Sequence, residues 1–81
     1  MNIAEKTKQI IKEMEKTLCY FNKYLKYLDV KESQKSDGKL CLISFKGYYV
    51  TLVDEKTVDT LNVIIITYFN ALENQKHFNL I

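Results

Sequence analysis

Residues 60–70, TLNVIIITYFN, constrain the fold of this 81-residue chain more than any other segment. Four consecutive β-branched residues at 63–66 favour a strand by propensity. Wound at 100° per residue, however, the region gathers six apolar side chains within an arc of roughly 100°, namely Val58, Leu61, Ile65, Tyr68, Phe69 and Leu72. A strand would separate polar from apolar side chains only weakly. The pattern therefore predicts a helix over residues 57–75, and the alternative is a strand over residues 61–69.

A first helix is predicted over residues 2–28, which contain neither Gly nor Pro. Apolar residues recur there at the three- and four-residue spacing of one helical face: Ile3, Ile10, Met14, Leu18, Phe21, Leu25 and Leu28. At 1.5 Å per residue such a helix measures about 40 Å, whereas a compact chain of this size is about 30 Å across. We therefore expect the helix to extend beyond its own domain.

A β-hairpin is predicted after a polar loop at residues 30–39. Lys46-Gly47 separates two β-rich runs, so the strands should cover about residues 39–45 and 48–54, with Gly at a turn position of positive φ. A regular two-residue turn would place three apolar pairs on one face: Phe45 with Tyr48, Ile43 with Val50 and Cys41 with Leu52.

The predicted fold class is α+β, a small two-layer domain of residues 1–81 in the order αββα, with αβββ as the alternative. Thr57 or Asp54 can cap the last helix. A single core contributes only marginal stability at this length, and oligomerisation is a common remedy. No apolar run approaches the roughly 20 residues that a membrane span requires.

The charge balance and the cysteines point to an ordinary intracellular protein. The net charge is +2, and all twelve basic residues are Lys. The first residues alternate charged with isolated apolar side chains, which is unlike a secretory signal, so we expect a cytoplasmic location. Two cysteines, Cys19 and Cys41, are then expected to be reduced thiols.

Catalytic signals are weak in this sequence. His77 is the only imidazole, and neither cysteine lies at a metal-ligand spacing from it or from the other cysteine. With only Gly38 and Gly47, the chain has no Gly-rich phosphate loop. We therefore expect no enzymatic activity, no catalytic residue, no metal site and no cofactor.

Two surfaces are candidates for binding. Val63 and Ile66 fall on the polar side of the predicted last helix, so either they are ordinary exposed apolar residues or a second chain covers them. The predicted protein interface comprises Val63, Ile66, Asn70 and Phe78. The outward side of the first helix carries lysines with two tyrosines, a combination that can contact phosphates and stack on bases. That possible nucleic-acid surface comprises Lys12, Lys16, Tyr20, Lys23, Lys26 and Tyr27.

A protein-interaction module is the function that these observations favour. We expect a self-associating regulator or inhibitor, which includes the possibility of a homodimer. The copies would contact each other through the long helix, a hairpin edge or the Val63/Ile66 side. The chain is small, and its use of Lys without Arg, Pro or Trp fits an AT-rich coding sequence. Both features are typical of such proteins from phages or other mobile elements, although composition does not separate them from small host regulators. The alternative is a nucleic-acid-binding protein, against which stand the modest net charge and the lack of Arg. No membrane or small-molecule partner is expected.

Overall fold

A computed structural model describes the backbone of residues 2–79 and the side chains of residues 2–75. It confirms the α+β class. Two single-turn 3₁₀ segments, Cys19–Phe21 and Val58–Thr60, accompany the main elements. In chain order these are α1 (Ile3–Thr17), α2 (Asn22–Leu25), β1 (Leu28–Glu32), β2 (Cys41–Phe45), β3 (Tyr48–Val53) and α3 (Leu61–Asn79).

The long first helix was predicted wrongly, because α1 ends at Thr17. The Thr17 hydroxyl donates to the carbonyl of Glu13, and the backbone leaves the helical region at Leu18 (φ −121°, ψ 59°). Aromatic and β-branched residues near this point have modest helix propensity. Breaking the helix lets Phe21 and Leu25 turn into the core. With 15 residues, α1 is therefore too short to extend beyond the domain as predicted.

Strand β1 is the element that sequence reasoning missed. Its residues, LDVKE, had been divided between the end of the predicted helix and the start of the predicted loop. β1 pairs antiparallel with β2, so that the sheet has three strands in the order β1-β2-β3. The signal was present in the alternation of Leu28 and Val30 with Asp29 and Lys31, which has the period of a strand.

The hairpin was predicted correctly at its turn. Lys46 and Gly47 both have positive φ, at 51° and 85°, which is typical of a type I′ turn. The predicted pairing of Phe45 with Tyr48 is confirmed. Beyond it, a bulge in β3 shifts the register by one residue, so Ile43 pairs with Thr51 rather than with Val50. For the same reason Cys41 pairs with Val53 rather than with Leu52.

The isoleucine-rich segment is helical, as predicted, and the alternative of a strand over residues 61–69 is wrong. Leu61, Ile65 and Phe69 are fully buried at four-residue intervals along α3. They form one stripe of the helix that faces the core. Tertiary burial of this stripe outweighs the strand propensity of the β-branched residues.

Both long helices cover the same face of the sheet. α1 packs against β1 and α3, and α3 packs against β3. The core lies between this helical layer and the inner face of β2, where Cys41, Ile43 and Phe45 are buried. Phe45 and Phe69 meet edge to face at its centre, with ring centroids 5.9 Å apart. Among the residues that the structure describes, no helix is long and apolar enough to cross a membrane.

Candidate functional site

Among the described residues, no helix packs on the outer face of the sheet. Side chains alternate between the two faces of a strand, and residues paired across strands share a face. Since Cys41, Ile43 and Phe45 point to the core, Leu42 and Ser44 point outward. Their partners on both neighbouring strands complete two rows of three residues: Asp29, Ser44 and Tyr49 in the first, and Lys31, Leu42 and Leu52 in the second. We call these six residues the outer face.

The bulge in β3 determines what the outer face displays. Tyr49 and Leu52 are three positions apart and would point to opposite faces of a regular strand. The extra residue, Val50, restores them to the same face, where Tyr49 pairs with Ser44 and Leu52 with Leu42. Tyr49 is 63% exposed and Leu52 is 52% exposed. The result is an aromatic and two aliphatic side chains side by side on a surface open to solvent.

The sheet has two open edges, β1 and β3. The hairpin was expected to offer both of its own edges for pairing with another chain, but β1 occupies the β2 edge. On the remaining edge, the bulge interrupts the regular spacing of backbone donors and acceptors. Bulges of this kind twist an edge strand away from further pairing. At the β3 edge the geometry therefore favours contact through the outer face over extension of the sheet, whereas the β1 edge carries no such bulge.

The predicted interface on α3 is less apolar than the sequence suggested. Val63 is 59% exposed and Asn70 is exposed, as expected. Ile66, however, is half-buried against the core of its own chain. Phe78 has its side chain outside the described residues. Without Ile66, Val63 is an isolated apolar side chain, which is common on protein surfaces.

Four residues of the predicted nucleic-acid surface form two lysine–tyrosine contacts, and the one at Tyr27 lies beside the turn of the hairpin. Tyr20 and Tyr27 are 68% and 45% exposed. The ammonium group of Lys23 lies 5.2 Å from the Tyr20 ring centroid, and that of Lys26 lies 5.0 Å from the Tyr27 centroid. Lys46, which the sequence did not single out, comes within 4.6 Å of the same Tyr27 centroid. We call these five residues the Lys/Tyr cluster.

One ion pair reduces the charge of the Lys/Tyr cluster, and the remaining lysines of the predicted surface lie apart from it. Lys23 forms an ion pair with Glu73 at 2.9 Å, and this hydrogen-bonded carboxylate raises the pKa of the lysine. Tyr24 also donates its hydroxyl hydrogen to Glu73. Lys12 and Lys16 lie on α1, on the other side of the break at Leu18, so the predicted lysine stripe is not continuous. Lys16 is 3.8 Å from the carboxylate of Glu13.

A shallow groove of about 370 Å³ separates the hairpin turn from the later part of α3. Its lining is mostly apolar and comprises Phe45, Lys46, Tyr48, Tyr68, Ala71, Leu72 and Gln75. Tyr48 at its rim is 72% exposed. A second groove of about 540 Å³ runs between α1 and the segment that precedes α3, with Ile10, Met14 and Val58 among polar side chains in its lining.

Burial and hydrogen bonds within the fold account for the shifted pKa values of Cys41 and Asp54. Burial raises the pKa of the Cys41 thiol, which lies 3.5 Å from the hydroxyl of Thr7. Asp54 closes the turn at residues 54–57 and does not cap α3, contrary to the prediction for Asp54 or Thr57: its carboxylate accepts hydrogen bonds from the backbone and the hydroxyl of Thr57 and from the backbone of Lys56. The hydrogen bonds from Thr57 contribute most to lowering the pKa of Asp54.

Neither cysteine belongs to a constellation that suggests chemistry. Cys19 is exposed and Cys41 is buried, and both are free thiols. Within the part of the chain that the structure describes, no group of three or more His, Cys, Asp or Glu residues is arranged to hold a metal ion. The side chain of His77 lies outside that part.

Comparisons with protein-family models, with curated proteins and with solved structures gave no match for this chain. Its function is therefore inferred from its own residues.

Proposed function

We propose that this chain is a small, non-enzymatic protein-interaction module that associates with itself and acts as a regulator or inhibitor in the cytoplasm. The observation that supports the proposal most directly is the outer face. A single strand irregularity turns Tyr49 and Leu52 to the same side as Leu42, and none of the three is covered by the helical layer. Apolar surface of this kind, with charged residues at its margin, is typical of protein interfaces.

Aromatic residues such as Tyr49 are well suited to this role. They bury a large area at low cost in conformational entropy and are enriched among residues that dominate binding energy. Leu52 and Leu42 supply an adjoining aliphatic surface. Tyr49 also has a hydroxyl that keeps the exposed ring compatible with water in the unbound state.

In the test, tagged chains that differ at one position are expressed in the native cells, and the complexes recovered with each chain are compared. We expect the wild-type chain to retain a protein, either another copy or a different chain, at both 0.15 M and about 0.5 M salt, because apolar contacts resist screening. Leu52→Lys should abolish this recovery. Val63→Lys is the matched control, since Val63 is equally exposed but isolated on α3. Equal recovery by the two variants would contradict the proposal.

A second candidate function is nucleic-acid binding through the Lys/Tyr cluster. The observation that favours it is the convergence of Lys26 and Lys46 on Tyr27 from separate elements. The pairing of Lys23 with Glu73 counts against it. Binding to a single-stranded oligonucleotide should weaken steeply with salt and fall in Lys26→Glu and Lys46→Glu variants, whereas Lys12→Glu serves as the control. Affinity that is independent of salt, or lost equally in all three variants, would exclude this function.

A further inference from the structure

The two rows of the outer face are complementary to each other. The first row carries a carboxylate at one end and an aromatic ring at the other, in the order Asp29, Ser44, Tyr49. The second row carries an ammonium group and two aliphatic side chains, in the order Lys31, Leu42, Leu52. Opposite charges therefore occupy the two positions on β1, and apolar side chains occupy both positions on β3.

We propose that the partner of the outer face is a second copy of this chain, stacked face to face about a two-fold axis. This inference rests on the proposed function. The axis lies parallel to the sheets, perpendicular to the strands, and passes between the two rows. This rotation places each row over the other row of the second copy. Asp29 then faces Lys31 of the second copy, and Tyr49 faces its Leu52. Both pairs occur twice, as a two-fold interface requires.

Spacing permits these contacts. Stacked sheets lie about 10 Å apart, a distance that the interdigitating side chains of two inner faces fill. A lysine and an aspartate together bridge such a gap at the margin, while tyrosine and leucine fill it at the other side. In the resulting order of layers, helices cover the outside and the two sheets are enclosed. This arrangement buries the surface that a single copy leaves open.

Competing arrangements satisfy the outer face less well. A two-fold axis parallel to the strands would place Lys31 against Leu52 of the second copy and Asp29 against its Tyr49. Each charge would then lose water without gaining a partner of opposite sign, which is costly. Edge pairing through β3 is opposed by the bulge, as described above. Of the two face-to-face arrangements, the row-exchanging rotation pairs charge with charge and Tyr49 with Leu52, and it places the small Ser44 over Leu42 of the second copy.

The size of the outer face predicts a weak dimer. Stable interfaces contribute about 20–30 residues from each side, whereas six residues form this face. We therefore expect weak association with rapid exchange between one and two copies, so that dimers accumulate only toward high protein concentrations. The average mass should rise with concentration from the 9.6 kDa of one chain toward twice that value.

Charge reversal provides the decisive test. Asp29→Lys gives a copy with two lysines on β1, and Lys31→Asp gives a copy with two aspartates there. Each variant should repel itself and dimerise at least roughly tenfold more weakly than wild type, because like charges face each other. An equimolar mixture should form a heterodimer, since every charged contact is then between opposite signs. Lys12→Asp is the control and should dimerise as wild type does.

Sedimentation equilibrium from about 10 μM to about 1 mM protein measures all of these species. Circular dichroism and thermal unfolding confirm that each variant remains folded. A wild-type chain that stays at 9.6 kDa throughout would overturn the two-fold dimer. Dimers of Asp29→Lys as strong as wild type, or a mixture no stronger than its components, would also overturn it. If the wild-type chain is monomeric and yet recovers a different protein in a Leu52-dependent manner, the dimer is wrong and the interaction module stands.

Discussion

The amide of Ile3 donates a hydrogen bond to the carbonyl oxygen of Gly38, 2.9 Å away, and thereby joins the first turn of α1 to the loop between β1 and β2. The approach is close because Gly38 has no side chain. A Cβ placed there would lie 2.9 Å from the Cβ of Asn2, which caps α1 by accepting from the amide of Glu5. This contact connects the start of the helical layer to the sheet.

Substitution of the two glycines should separate backbone strain from steric conflict. Both have positive φ, but an added Cβ at Gly47 meets nothing within 4 Å. Gly47→Ala should therefore cost about 1 kcal/mol in unfolding free energy, from strain alone. Gly38→Ala should cost about 1 kcal/mol more, because the cap at Asn2 must also shift. Thermal unfolding measures the difference, and equal costs would show that the loop accommodates the added methyl group.

The two thiols should differ sharply in reactivity. Cys19 is exposed, whereas Cys41 is fully buried and its pKa is raised by that burial. A thiol reagent needs access to a thiolate, so Cys41 should react about a hundredfold more slowly than Cys19 in the folded protein. In denaturant the two rates should converge. Mass spectrometry of the alkylated peptides follows each site, and rapid labelling of Cys41 without denaturant would contradict the core described here.

The turn that the Asp54 carboxylate closes should make part of the unfolding free energy depend on pH in the acid range. The pKa of Asp54 is lowered in the folded state, so its contribution is present above the unfolded carboxyl pKa of about 3.9 and is lost as pH falls through the folded value. Asp54→Asn should therefore unfold at a lower temperature than wild type at pH 7, and the difference should shrink toward pH 2. A constant difference across this range would mean that the carboxylate charge does not contribute.

Lysine substitutions on α3 should distinguish its exposed side from its partly buried side. Val63→Lys should change the unfolding free energy by less than about 0.5 kcal/mol, because Val63 is exposed. Ile66→Lys should cost about 1 to 3 kcal/mol, because Ile66 packs against the core. Denaturant titration compares the two. Similar losses would indicate that Val63 is covered in solution by another chain, which is one of the two explanations that its position on the helix allows.

About half of the candidate site, namely Leu42, Ser44 and Tyr49, follows from the predicted hairpin, and the bulge explains why Leu52 does not. A regular two-residue hairpin pairs Cys41 with Leu52 and places Leu52 in the core. One extra residue at Val50 reverses that assignment, so Val53 is buried and Leu52 is exposed. The two charged residues, Asp29 and Lys31 on β1, were not predicted to share this face, because the five residues of that strand lie between a helical pattern and a polar loop. Their alternation was short enough to be overlooked.

The sequence by itself determined the hairpin turn and the last helix, because each depends on interactions between residues close together in the chain. Lys46-Gly47 specified a turn because Gly tolerates positive φ, and the four-residue spacing of Leu61, Ile65 and Phe69 specified a helix despite their neighbours' strand propensity. Tertiary structure alone decided where the first helix stops and which side of β3 is buried. Both depend on how Phe21, Leu25 and Val53 fill one shared core, and packing against distant residues is not encoded in the period of any single segment.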